Sequence, residues 1–321
     1  MLEVLVAEKR ADAQDVCVLE LVPVDSDTLP PFTAGAHIDV KLSDGSVRQY
    51  SLCNHPAEAH RYVIGVLREQ QSRGGSAAIH DRVAKGDRLT ISEPRNHFGL
   101  VRGSRYILFA GGIGVTPILC MAEHLSSESQ PFELHYCVRD AKRVAFQNKI
   151  TSDKFREHIH VHFDNGPAEQ RLDMPAAVGT WDANRDVDTH IYICGPRGFI
   201  DFVSDAATSQ GWPAASIHVE HFSPMPYVKG ESDGSFRVRL ARDNRIFDIP
   251  ADRSIASVLI DNGVDIPLSC EQGVCGACVT RIIEGLPEHR DVCLSDAEHE
   301  SENLFTPCCS RARSQVLILD I

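Results

Sequence analysis

The 321-residue chain is 43% hydrophobic and 24% charged, an ordinary globular composition too long for one core, so two or three domains are expected. A formal charge of −13 works against a nucleic-acid partner, which is held by clustered Lys and Arg that displace counterions from phosphates. The longest charge-free stretch, residues 106–122, is broken by Gly111, Gly112, Gly114 and Pro117, so no membrane span is expected.

In chain order, the first eight residues lack a basic region followed by an apolar run, which makes the cytoplasm the expected compartment. Residues 2–101 carry short alternating segments, such as 18–21 and 37–42, separated by Pro, Gly and Asp turns. They predict an antiparallel β-barrel over residues 1–102. Arg48-Gln49-Tyr50-Ser51 falls at the end of a barrel strand. A guanidinium can fork onto phosphate oxygens, an aromatic ring can cover a planar cofactor, and a hydroxyl can reach its edge. An ordinary strand with a surface arginine is the alternative. Arg73-Gly74-Gly75-Ser76 heads a helix-like stretch, 77–83, and offers backbone N–H groups to an anion, or else is a glycine turn with a serine cap.

From residue 103 to 223 apolar strands (106–110, 132–138, 159–163 and 190–194) alternate with helical segments, the pattern of an α/β domain with a parallel sheet covered on both faces. After the first strand come Gly111-Gly112-Ile113-Gly114-Val115-Thr116-Pro117 and an apolar helix over 118–125. A dinucleotide pyrophosphate could sit there against a helix N-terminus, although a glycine-rich turn alone is weak evidence. The strand 132–138 leads to Arg139-Asp140. An acidic side chain there can accept from an adenosine ribose and repel a 2′-phosphate, which favours NADH, while Arg139, Lys142 and Arg143 would welcome that phosphate and Asp140 can equally be a solvated turn residue. Cys194-Gly195-Pro196 follows the strand 190–194, at the carboxyl end where ligands gather, although a cysteine in an apolar strand is usually core packing. Residues 224–235 are rich in Pro, Gly and Ser and are expected to be a linker. The remainder, 236–321, opens with a hairpin-like pair (236–240 and 245–249), continues with a helix over 255–262 and a cysteine loop, and closes on a strand at 316–319.

Eleven cysteines in a reducing compartment point to metal ligands or buried thiols rather than disulfides. Cys270, Cys275 and Cys278 follow C-x4-C-x2-C, and Cys308 lies 29 intervening residues further on, the spacing of plant-type 2Fe-2S sites. Gly273, Gly276 and Ala277 allow the backbone to wrap closely and aim N–H groups at cluster sulfurs. A structural zinc site more often shows two separated C-x2-C pairs. Cys309, next to Cys308, is a rival fourth ligand.

The run from Cys270 through Cys278, with His289-Arg290-Asp291 and Cys308-Cys309-Ser310-Arg311-Ala312, resembles the ferredoxin domain of the phthalate dioxygenase reductase family, to which vanillate demethylase reductases belong. The resemblance extends over nearly all of the chain. It implies that Arg48 meets the flavin phosphate, with Tyr50 and Ser51 around the isoalloxazine, and that Gly74, Gly75 and Ser76 complete the phosphate site. It implies FMN rather than FAD. It also implies that Gly111, Gly112, Gly114, Thr116, Pro117, Asp140, Cys194, Gly195 and Pro196 bind NADH, with Cys194 orienting the nicotinamide and Phe222 stacking on the flavin. NADH delivers two electrons as a hydride and a 2Fe-2S cluster accepts one, so a flavin between them is chemically required. No Rieske ligand set is present in the sequence, and the family's partner is a terminal Rieske non-haem iron oxygenase acting on an aromatic compound. Family members are commonly monomers. A cytochrome P450 acceptor and a non-catalytic redox sensor are the competing expectations.

Overall fold

The computed structural model describes residues 1–43, 45–69, 75–183, 186–222, 234–268, 273–274, 276–294, 296–301 and 303–321. Cys270, Cys275, Gly74 and most of the expected linker lie outside the described residues. The chain divides into two compact units, Met1–Phe222 and Ser223–Ile321. Among the described residues no helix is long and apolar enough to cross a membrane.

The first unit begins with strands β1 (Leu2–Ala13), β2 (Val16–Pro23), β3 (His37–Lys41), β4 (Val47–Ser51) and β5 (Tyr62–Leu67), then helix α1 (Gly75–Arg82) and strand β6 (Arg88–Ile91). They form one sheet in the order β4-β3-β6-β1-β2-β5 with every pairing antiparallel. Alternate residues such as Val4, Val6, Leu19, Leu21, Ile38 and Val40 meet in its interior, as period-two patterning requires. Helix α1 adds Ile79 to that core. Lys9 donates to the carbonyl oxygens of Ile79, His80 and Val83 at 2.9, 2.7 and 2.6 Å, so a strand cation satisfies the acceptors at the helix C-terminus.

The same unit continues with β7 (Arg105–Gly111), α2 (Val115–Ser127), β8 (Phe132–Val138), α3 (Gln147–Ile150), β9 (Ile159–Phe163), α4 (Met174–Val178), β10 (Thr189–Gly195), α5 (Arg197–Ser209) and β11 (Ile217–His221). The five strands are all parallel, in the order β11-β10-β7-β8-β9. Parallel strands covered on both faces read as continuous apolar runs. One face of the sheet, with Tyr106, Leu108, Ala110, Leu134 and Tyr192, packs with α2, and the other, with Ile107, Phe109, Ile191 and Ile193, packs with α4 and α5. Strand β11 was not expected as an element. It is an edge strand of alternating apolar and polar residues, all half-buried, so it lacks the apolar run of its neighbours. Helix α2 also starts before and ends after the expected 118–125, with Pro117 tolerated in its first turn.

The second unit contains β12 (Phe236–Leu240), β13 (Ile246–Ile249), α6 (Ile255–Asp261), β14 (Thr280–Glu284), β15 (Pro287–Glu288), α7 (Asp296–Ser301), β16 (Leu304–Phe305), β17 (Arg311–Ala312) and β18 (Val316–Leu319). A mixed sheet in the order β13-β12-β18-β14-β16 has the terminal strand β18 parallel to β12. Helix α6 lays Ile255, Ala256, Val258 and Leu259 on Val238, Leu240, Ile249, Leu317 and Leu319, a β-grasp arrangement. Ser254 starts this helix by accepting from the Ser257 N–H at 3.1 Å.

Candidate cofactor sites

Arg48 and Tyr50 come from β4, which is antiparallel to β3. The Arg48 side chain lies against the first residue of α1, where a Cβ on Gly75 would fall 2.2 Å from its Nε and 2.7 Å from its Cγ. A side chain at residue 75 would push the guanidinium out of this position. The arrangement places a permanent cation beside a helix start whose first turn carries no acidic residue, and those are the two ingredients of a phosphate site. Ser76 is nearly buried, and its hydroxyl accepts from the Glu69 N–H at 3.1 Å. Ser51 is 5% exposed, and burial pushes the Tyr50 hydroxyl well above its ordinary range, so the phenol stays neutral. Arg48 and the N–H groups that open α1 could hold the terminal phosphate of a flavin mononucleotide.

The dinucleotide segment stands where the strand order reverses. The chain proceeds from β7 outward through β8 and β9, then returns to place β10 on the other side of β7. Ala110 and Cys194 are register partners, so Gly111 and Gly195 emerge side by side at the carboxyl ends of the two strands that bound this switch. Ligands of open α/β sheets bind in the crevice at such a point. Gly112 has φ 53° and faces open space, whereas a Cβ on Gly114 would fall 2.3 Å from the Cys194 carbonyl oxygen. The two loops therefore pack backbone on backbone and leave one glycine facing outward. Thr116 is buried and donates to the Ile113 carbonyl at 3.0 Å, which fastens the turn to the first turn of α2. Asp140 caps the 3-10 turn Ala141–Arg143 by accepting from the Lys142 N–H at 3.0 Å, and lies 3.9 Å from Arg143 Nε. Its carboxylate thus has a structural task as well as any ribose contact.

Sequence reasoning missed one partner. The Cys194 thiol, wholly buried, lies 3.9 Å from Glu220 Oε2. The pairing of Cys194 with Glu220 across β10 and β11 makes this contact. Burial pushes the Glu220 carboxyl up to about 8, partly offset by the thiol hydrogen bond. Burial and the neighbouring Glu220 charge raise Cys194 well above the usual thiol range, so it is no nucleophile. Phe222, just beyond β11, is 39% exposed.

In the second unit Cys278 and Cys308 are buried, and the Cys308 thiol lies beside those of Cys278 and Cys309. Cys309 also meets Thr306 Oγ1 at 3.1 Å and Ser310 Oγ at 3.9 Å. Gly273 and Gly276 adopt φ 72° and 65°, the left-handed turns that a tight cysteine loop requires. Converging soft thiols fit an iron-sulfur cluster. Arg311, part of the motif that carried the resemblance, proves to be a staple. Its guanidinium donates to the carbonyls of Arg253, Gly234 and Pro250 at 3.0, 3.2 and 3.0 Å, and covers the Phe236 ring.

Comparison with known proteins agrees with this geometry. The model of the 2Fe-2S iron-sulfur cluster binding domain matches residues 238–313, and that of the oxidoreductase NAD-binding domain matches residues 108–205. Fold and sites together define an NADH-dependent oxidoreductase that carries a 2Fe-2S centre. The chain is 48% identical to a vanillate O-demethylase oxidoreductase of Pseudomonas sp. and 39% identical to phthalate dioxygenase reductase of Burkholderia cepacia, covering 100% of itself in both and 100% and 97% of those proteins. A solved phthalate dioxygenase reductase, described as a modular structure for electron transfer from pyridine nucleotides to [2Fe-2S], superposes with a TM-score of 0.73 at 39% identity over 100% of this chain and 98% of that one. The chain belongs to the family of phthalate dioxygenase reductase and vanillate O-demethylase oxidoreductase.

Proposed function

We propose that this protein is the reductase component of a two-component oxygenase. It would take electrons from NADH and deliver them singly to a terminal Rieske non-haem iron oxygenase acting on an aromatic compound of the vanillate or phthalate type. The observation that carries this reading is the close approach of Gly111 and Gly195 at the switch point of one unit, in a chain whose other unit gathers Cys278 and Cys308. The identity of 48% with a vanillate O-demethylase oxidoreductase favours an aromatic-ring oxygenase as the partner.

Arg48, with Gly75 and Ser76 at the start of α1 and Gly74 preceding them in sequence, would hold the FMN phosphate. Tyr50, Ser51 and Phe222 would border its ring. Gly111, Gly112, Gly114, Thr116 and Pro117 would cradle the NADH pyrophosphate, Asp140 would accept from the adenosine ribose, and Cys194, Gly195 and Pro196 would orient the nicotinamide. Cys270, Cys275, Cys278 and Cys308 would bind the cluster. The spacing favours Cys308 over Cys309 as the fourth ligand. When bound, FMN accepts the hydride pair and releases electrons one at a time to the 2Fe-2S centre. The chain's own contribution is alignment: neutral Glu220 and Cys194 keep charge out of the crevice wall, and the glycines let the dinucleotide approach the backbone. We further infer a monomer of the cytoplasm.

Anaerobic mixing with NADH tests the proposal. Flavin absorbance should bleach first and cluster absorbance second, cytochrome c should be reduced, and adding a Rieske oxygenase should give NADH-dependent demethylation or hydroxylation. Negligible cytochrome c reduction would point to a redox sensor instead, and productive coupling only to a cytochrome P450 would move the acceptor.

A further inference from the structure

We propose that His289, Asp291 and His299 form a binding site for a divalent transition ion of the zinc class, separate from the cluster cysteines. His289 and Asp291 follow β15, and His299 comes from α7. The Asp291 side chain has no exposed surface, and both rings face it. His299 Nε2 lies 3.3 and 3.2 Å from its two oxygens, and His289 Nδ1 lies 3.9 Å from Oδ1. One donor atom from each residue falls within 4.8 Å of the others. The imidazoles stack with centroids 3.7 Å apart, so both ring nitrogens approach the carboxylate from one side.

A carboxylate that merely holds His299 accounts for only half of this. His289 Nδ1 is buried and has no hydrogen-bond partner among the described residues, although buried ring nitrogens are normally paired. An ion between the three donors satisfies it together with the other two. Two imidazole nitrogens and one carboxylate oxygen are a common three-ligand set for zinc, with water in the fourth position. Side-chain exposures of 24% for His289 and 13% for His299 leave that water a route. The carboxylate is oriented from behind by the Leu294 N–H at 3.2 Å, Ser310 Oγ at 3.4 Å and Cys293 Sγ at 3.7 Å, the outer support that metal ligands require. A Cβ on Gly273 would fall 2.8 Å from Asp291 Cα and 2.5 Å from Cys309 Sγ, so the site adjoins the cysteine loop, and a dication there should raise the cluster's reduction potential.

The test uses the holoprotein with flavin and cluster in place. It is dialysed against zinc chloride and then metal-free buffer, and metals are counted by plasma mass spectrometry. About one zinc per chain beside two irons is expected. His289→Ala and His299→Ala should each lower zinc retention at least tenfold with cluster absorbance intact, while His162→Ala in the other unit should retain it. Equal zinc in wild type and His299→Ala, or zinc gained only as iron is lost, overturns the proposal. X-ray absorption at the zinc edge of the wild type needs no variant: nitrogen or oxygen neighbours at about 2.0 Å support the site, and sulfur at about 2.3 Å refutes it. Loss of zinc binding with normal NADH-driven cluster reduction would sink this site alone and leave the proposed electron path standing.

Discussion

Replacing Glu220 by glutamine isolates one electrostatic consequence of the crevice. The carboxyl is held at about 8 in the folded chain against an ordinary 4.5, so between those values the folded protein binds the extra proton. Stability must then fall as pH rises through this window and level off above about pH 8, because each step of alkalinity favours the unfolded chain, where the group ionises freely. Evaluating the two titrations between about pH 5.5 and pH 9 gives a loss of roughly 3 kcal/mol attributable to this single group. Glutamine keeps the shape of the neutral carboxyl and cannot ionise, so Glu220→Gln should gain on the wild type by that amount over the same range. For a unit the size of Met1–Phe222 this corresponds to roughly 6 to 12 °C in melting temperature. Scanning calorimetry of both proteins at the two pH values reads it directly. Parallel melting curves, with the same separation at both ends, would refute the claim that the Glu220 carboxyl is held neutral.

Four further outcomes are expected. Arg48→Ala should weaken FMN binding roughly 10- to 150-fold, the worth of one charge-assisted phosphate contact, with part recovered in Arg48→Lys; flavin fluorescence titration measures it. Gly114→Ala forces a methyl onto a backbone carbonyl that cannot yield, so NADH affinity should drop by about 1–3 kcal/mol in equivalent terms with FMN still bound, as read by KM for NADH. Cys308→Ser should abolish the visible cluster absorbance and cytochrome c reduction while leaving flavin reduction by NADH intact, whereas Cys309→Ser should keep the cluster. The kcat/KM for NADH should exceed that for NADPH, and Asp140→Ser should narrow the gap; equal efficiencies in the wild type would remove the ribose role.

What was legible in the sequence was whatever is local along the chain. Period-two patterning in residues 2–101, apolar runs spaced by helices after residue 103, and the cysteine spacing each follow from a short window of neighbours. Strand order does not. That β10 returns beside β7, which brings Gly195 to Gly111 and creates the crevice, is a pairing between segments far apart in sequence. The register that sets Glu220 across from Cys194 is equally non-local, and β11 carried too little apolar signal to announce itself. The role of Arg311 was equally invisible, since its three backbone acceptors belong to segments far from it in sequence. His289 and Asp291 were noted only as part of a motif, and the ring of His299 that faces them arrives from a separate helix.

Gly75 contributes no functional group, yet the position it occupies is held by the outline of its neighbour's arginine. A saturation library scored for flavin content should therefore rank residue 75 beside residue 48, with even alanine depleted. The vacancy and the cation act as one unit: a side chain at residue 75 must displace the arginine from its resting place.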